Sequence, residues 1–191
     1  MFLRAPLAFL LIVLPFGQGF ADEAPSPPEP THAERLDALY ARLAKADDPR
    51  AADAIVRLIG DEDVQSGSDS ANLLLARALV AKVGQHDDIA LEILDSLVTL
   101  KPEWSQGWSK RAAFRLETGD ESGAMKDFAE TLKRDPRDLA ALLGLGAVLA
   151  QGQKLDQAES VFQQGLALAP AFQPLVEAQK HVKAAIAAHS L

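Results

Sequence analysis

Between Thr31 and Ala188 the apolar residues return every third or fourth position, the spacing that gathers them on one face of an α-helix. Leu36, Leu39, Tyr40 and Leu43 form the first stripe, in a helix expected to run to about Lys45. Ala52, Ile55, Val56 and Ile59 form the second, and Ala90, Leu91, Leu94, Leu97 and Val98 a longer one. Leu175, Val182 and Ile186 mark the last, in a helix over 174–188. The polar residues punctuate these stripes. Thr31-His32-Ala33-Glu34 is a capping box, in which the Thr hydroxyl accepts from the third backbone N–H and Glu34 reaches back. Asp48-Pro49 pairs an N-cap with proline at the first helical position. Asp87 or Asp88 caps a later helix, and Gly60, Gly84, Gly119 and Gly152 are expected stops. The pattern predicts helix pairs over about 32–60, 70–100, 103–134 and 138–169, followed by a single helix.

The segment from Glu103 to Pro136 is the pattern's best unit: a helix, a Gly-Asp turn, a second helix, then Asp-Pro. It recurs at a shift of 34 residues. Pro102, Pro136 and Pro170 are evenly spaced, as are Ala90, Ala124 and Ala158, and as are Leu94, Phe128 and Phe162. A period of 34 with small and aromatic residues at fixed offsets resembles the tetratricopeptide repeat family. The resemblance covers Ala71 to Phe172 clearly and Ala33 to about Ser66 weakly. It implies an all-α fold, a helical-hairpin solenoid of three clear repeats (70–104, 105–138 and 139–172) with one degenerate hairpin and acidic loop before them (32–69). A capping helix (173–191) covers the open end, which would otherwise expose an apolar face.

In the family pattern, position 4 is large, here Leu74, Trp108 and Leu142. Position 8 is small, here Ala78, Ala112 and Gly146, so that paired helices approach closely. Phe128 and Phe162 are expected to fill the space between neighbouring repeats. Some positions depart from the pattern. Tyr40 stands where the degenerate hairpin should carry a small residue; Arg77 and Arg111 replace the common leucine at position 7; Ala81 and Arg115 replace the usual tyrosine at position 11.

Two other segments stand apart. Met1 to Ala21 has Arg4 before an apolar stretch, Ala5 to Phe16, and ends in Gly19-Phe20-Ala21, small residues where a signal peptidase reads. It is expected to be a cleavable secretory signal peptide, leaving no stable membrane anchor after cleavage. A spanning helix needs about 20 apolar residues, and Pro6, Pro15 and Gly17 interrupt this run. The expected location is the periplasm, with free secretion as the alternative. Residues 22–31 form a Pro-rich tether, extended because proline fixes φ and removes donors. Gly60 to Asp69, GDEDVQSGSD, is expected as an exposed loop. Asp61 and Asp63 hint at calcium, but Ser66 and Asn72 stand where an EF-hand loop needs glycine and glutamate.

Composition narrows the chemistry. The formal charge of −8 argues against nucleic acid, whose phosphates need a basic surface. With no cysteine there is no disulfide framework, thiolate metal site or thiol catalysis. His32, His86, His181 and His189 form no pair at ligand spacing, so no metal or other cofactor is expected. Gly144-Leu145-Gly146 follows no strand, and Leu149 stands where a dinucleotide loop needs its third glycine. No catalytic constellation emerges, and the chain is read as not an enzyme.

What remains is a surface. The resemblance implies that the first helix of each repeat lines a concave face through positions 2, 5, 6, 9, 12 and 13. Carried over, the binding candidates are Asn72, Leu75, Leu79 and Lys82 in the first repeat. The second supplies Gln106, Ser109, Lys110 and Ala113, and the third Leu143, Ala147 and Gln151. This groove is apolar and lightly polar. It lacks the cluster of Lys, Arg and Asn with which some family members grip a chain terminus. The expected partner is a protein or peptide with apolar anchors. The chain resembles small exported tetratricopeptide proteins of Gram-negative bacteria, some associated with cell-envelope integrity, which implies a non-catalytic scaffold or adaptor. The alternatives are an assembly chaperone that holds exported polypeptides, as repeat domains do in cytochrome c maturation, and, most weakly, an enzyme subunit.

Overall fold

The computed structural model describes residues 29–189. The expected signal peptide and most of the expected tether lie outside the described residues, as do the last two positions. Among the described residues there are nine helices: α1 His32–Leu43, α2 Pro49–Asp63, α3 Asp69–Val83, α4 Asp87–Leu100, α5 Ser105–Glu117, α6 Glu121–Arg134, α7 Leu139–Gln151, α8 Leu155–Leu168 and α9 Gln173–His189.

The helix ends follow local chemistry. The capping box forms: the Thr31 backbone N–H donates to Glu34 Oε2 at 2.7 Å, and the Glu34 N–H donates to Thr31 Oγ1 at 3.3 Å. Asp48, Asp120 and Asp138 each accept a backbone N–H three residues on, capping α2, α6 and α7. Gly119 turns the chain between α5 and α6 at φ +86°, a conformation that costs glycine little. Two expectations change. Gly60 does not stop α2, which runs one turn further to Asp63; its missing side chain faces open space, so nothing forces the chain to turn there. The interruption therefore shrinks to residues 64–68. Neither Asp87 nor Asp88 is a cap. His86 holds the N-cap position of α4 without a side-chain bond, and both aspartates lie in the first turn, where negative charge suits the helix dipole.

Extensive packing links α3 with α4, α5 with α6 and α7 with α8 inside the hairpins, and α4 with α5 and α6 with α7 between them. This is an all-α helical-repeat solenoid. Ala78, Ala112, Ala124 and Ala158 are buried where the helices come closest. Phe128 lies between α6 and α7, and Phe162 between α7 and α8, each opposite a glycine. A Cβ on Gly144 would lie 2.2 Å from Phe128 Cζ, and one on Gly146 would lie 2.3 Å from Phe162 Cε1. The ring occupies the volume that any side chain there would need. α9 packs on α8 and α7, with Leu175 fully buried over Gly165.

α1 and α2 pack on each other, but α2 has no contact with α3 as extensive as that between α4 and α5. Their apolar stripe (Leu36, Tyr40, Leu43, Ile55, Ile59) joins the core of α7, α8 and α9 instead. The outer face of α3 is left bare. Leu73, Val80 and Val83 are 53 %, 73 % and 86 % exposed.

Candidate functional site

The helices expected to line a concave face are α3, α5 and α7, and the structure distributes the expected residues unevenly. Leu79, Lys110 and Gln151 are exposed, while Ala113, Leu143 and Ala147 are half-buried. Lys82 is committed to neighbours. It pairs with Glu117, and its ammonium lies 5.3 Å from the Phe114 ring centroid. Asn72 is also committed: its Oδ1 accepts from the Ser66 backbone N–H at 3.1 Å and from Ser66 Oγ at 2.6 Å, tying down the 64–68 loop. Leu75 and Ser109 are corrected. Leu75, 3 % exposed, belongs to the core between α3, α4 and α5. Ser109, 4 % exposed, sits beside Asp138. Neither presents a surface to a ligand, because both point between helices rather than into the groove.

Gln106, Ser109 and Lys110 do come together, and they do so around a residue the sequence reading did not single out. Gln106 Nε2 donates to Asp138 Oδ2 at 2.9 Å, while Asp138 Oδ1 caps α7. Over this point lies the α1–α2 hairpin. Tyr40, Val56, Ile59, Gly60 and Asp63 from the hairpin face Gln106, Lys110, Asp138, Leu139 and Ala140 across a cavity of about 110 Å³. The seam is pinned by side chains. Tyr40 Oη donates to the Arg137 carbonyl at 2.9 Å. Arg137 pairs with Asp37 at 2.6 Å and stacks 4.4 Å from the Tyr40 ring centroid. Trp104, buried at the entrance to α5, donates from Nε1 to the Asp63 carbonyl at 3.3 Å.

The seam is electrostatically tense. Burial, with Asp135 and Asp138 nearby, pushes the Asp63 carboxyl up to about 6, against the opposing pull of His32 and Arg137. Burial also raises Asp138, opposed first by its bond from the Ala141 N–H. Burial holds the Tyr40 phenol well above its ordinary range, so it remains a donor. The only signal of this seam in the sequence was Tyr40 itself, a large residue where the repeat wants a small one.

A second polar cluster, in repeat two and reaching back to α4 of repeat one, also escaped the sequence reading. Arg111 forks onto Asp127 through Nε (2.8 Å) and Nη2 (2.7 Å) and reaches Asp95 through Nη1 (2.7 Å). Arg115 Nη1 adds a bond to Asp127 at 2.9 Å. Arg111 and Arg134 both stack on Trp108, whose Nε1 donates to the Pro102 carbonyl at 2.8 Å. Every charge here is answered by another protein group, so the cluster is built for rigidity. Among the described residues no group of three or more His, Cys, Asp or Glu is placed to hold a metal. Among them no helix is long and apolar enough to cross a membrane.

Comparison with known proteins agrees with this fold. A family profile described as "Tetratricopeptide repeat" matches residues 115–180. A TPR repeat-containing protein of Rhizobium etli is 33 % identical over 153 residues, covering 76 % of this chain and 73 % of its own length. Among solved structures, the type III secretion chaperone SycD of Yersinia enterocolitica, in complex with a peptide of the translocator YopD, superposes with a TM-score of 0.56 at 19 % identity. It covers 61 % of this chain and 94 % of its own. The first TPR of Spaghetti (RPAP3), bound to an HSP90 peptide, does so at 0.59 and 18 %, covering 61 % and 93 %. A point mutant of MamA reaches 0.55 at 16 % and covers 83 % and 90 %. The chain belongs to the tetratricopeptide repeat family.

Proposed function

We propose that this chain is a non-catalytic scaffold that takes a protein or peptide partner on the concave face of α3, α5 and α7, and that it does so in the periplasm. The observation that carries the binding reading is the face itself. The first helices α3, α5 and α7 leave Leu79 and the cation Lys110 exposed and Ala113 and Ala147 half-buried, while Lys82 is already neutralised by Glu117. Such a surface suits apolar anchors better than an acidic chain terminus. SycD and the RPAP3 repeat, which share the fold, are solved with peptides bound. The periplasmic reading is supported by the leader-like Met1 to Ala21. A role in cell-envelope integrity or assembly follows from the family resemblance.

The test replaces Leu79, Lys110 and Ala113 together by Asp, Glu and Arg, leaving buried Leu75 untouched. In-cell crosslinking of wild type captures a discrete partner set, and the triple variant loses it while keeping its far-UV circular dichroism. An unchanged set in a folded variant sinks the groove reading. Cell fractionation with N-terminal sequencing checks the location, with Asp22 expected as the first residue. The chaperone reading is favoured by the likeness of the fold to a secretion chaperone. It predicts transient holding of unfolded clients, where the scaffold reading predicts a stable complex with a folded partner.

A further inference from the structure

We infer that the α1–α2 hairpin occupies in cis part of the seat that the partner takes in trans, and that the partner presents there an amphipathic helix with an aliphatic pair followed by a basic residue where α2 carries Asp63. This inference rests on the groove reading above and specifies its occupant.

The seated segment is visible. Val56, Ile59, Gly60 and Asp63 recur at i, i+3, i+4 and i+7, so one stripe of α2 faces the ends of α5 and α7. Gln106 and Lys110, both on the expected binding face, lie under it. A helix laid into a groove by such a stripe is a standard mode of peptide recognition. Here the helix comes from the same chain.

The seat is also incompletely filled. A half-open cleft of about 110 Å³ remains between α2 and the repeats. Asp63 of α2 and Asp138, the N-cap of α7, both line this space. Burial first, and then the charges of Asp135 and Asp138, raise the Asp63 carboxyl. A helix with lysine or arginine at that position would convert the repulsion into attraction. Across the short 64–68 loop, α3 carries a bare apolar face (Leu73, Val80, Val83). Gly67, at φ +68°, lies in that loop.

The test uses the chain from Asp22 onward with Trp108→Phe, so that Trp104 is the single tryptophan. Tyr40→Ala removes the pin to the Arg137 carbonyl and should release the hairpin, which a red shift of Trp104 emission reports. Two fluorescent peptides serve as probes, one with the sequence of residues 49–63 and one with its Asp63→Lys substitution. Because a closed seat reduces apparent affinity by the fraction open, both peptides should bind the Tyr40→Ala chain at least about tenfold more tightly than the unreleased chain. The lysine peptide should be the tighter of the two. Ala140→Arg, in the seat, should abolish binding of both. Should Tyr40→Ala unfold the hairpin itself, Asp37→Ala, which removes only the Arg137 partner, gives a milder release with the same ordering. Equal affinity for released and unreleased chains, or equal affinity of the two peptides, overturns the inference. If crosslinked partners still depend on Leu79, Lys110 and Ala113, the groove reading survives that result.

Discussion

Asp127 gives the sharpest test of how repeat two is held together. Its carboxylate is 3 % exposed and accepts three bonds of 2.7 to 2.9 Å from Arg111 and Arg115. Asp127→Ala removes all three. Arg111, with a side chain only 11 % exposed, then keeps one partner, the more open Asp95. Breaking a buried ion pair from one side costs about 3–5 kcal/mol, because a charge is left in the interior without compensation. The surviving Asp95 contact and the partial exposure of Arg115 place the expected loss near the lower end, about 3 kcal/mol. For a chain of this size that is a fall in Tm of roughly 6–12 °C. Urea unfolding followed by far-UV circular dichroism measures it, with an unchanged m value showing that the unfolded state is not the cause. The double variant Arg111→Met with Asp127→Leu should recover most of the loss, since a buried pair replaced by apolar groups of similar volume is often neutral. A loss below about 1 kcal/mol for the single variant, or a double variant as unstable as the single, would show that the cluster does not hold the repeat in this way.

Three further outcomes follow from the same packing. Phe128→Ala empties the space opposite Gly144 and should cost about 3–5 kcal/mol, read by the same urea titration. Leu175→Ala should cost about 2–5 kcal/mol and should raise amide exchange in α9 before the rest of the stack, because Leu175 is that helix's fully buried anchor on α8. Hairpin docking should strengthen in acid. Asp63 binds its proton more readily when docked, so its contribution is complete below its ordinary range and is lost as pH rises through about 6. Asp135 and Asp138 oppose its charge from the repeats, His32 and Arg137 temper it, and Lys110 lines the same cleft. Trp104 emission in the Trp108→Phe chain should shift to the blue between pH 7 and 5, and Asp63→Asn should flatten the profile.

The repeat phase was legible because it is written in local spacing. The alanines at 112, 124 and 158 and the rings at 128 and 162 are buried where a period of 34 puts them, and the Thr31 box closes as its four residues require. The groove was less legible. α3 is apolar on nearly every side, through Leu73, Leu74, Leu75, Leu79 and Val80, so periodicity does not say which leucine faces the core. Leu75 went inside and Leu79 stayed out. The seat of α1–α2 was illegible for another reason. Tyr40 finds its acceptor 97 residues away, and nothing in a helical stripe names a distant neighbour. Asp127 was hidden by a general habit of acids: charged residues on helices mostly face solvent, and only the hairpin geometry brings Arg111 across to it.

The two glycines opposite phenylalanine rings also govern how this chain can change. At Gly144 and Gly146 any side chain overlaps a ring, and at Phe128 and Phe162 any smaller side chain leaves a void. Neither partner can drift alone without a loss of folded protein. An exchange of large for small across a seam passes through an intermediate that is either overfilled or hollow. Such an intermediate folds only where the rest of the array has stability to spare, so each glycine and its ring act as one packing unit.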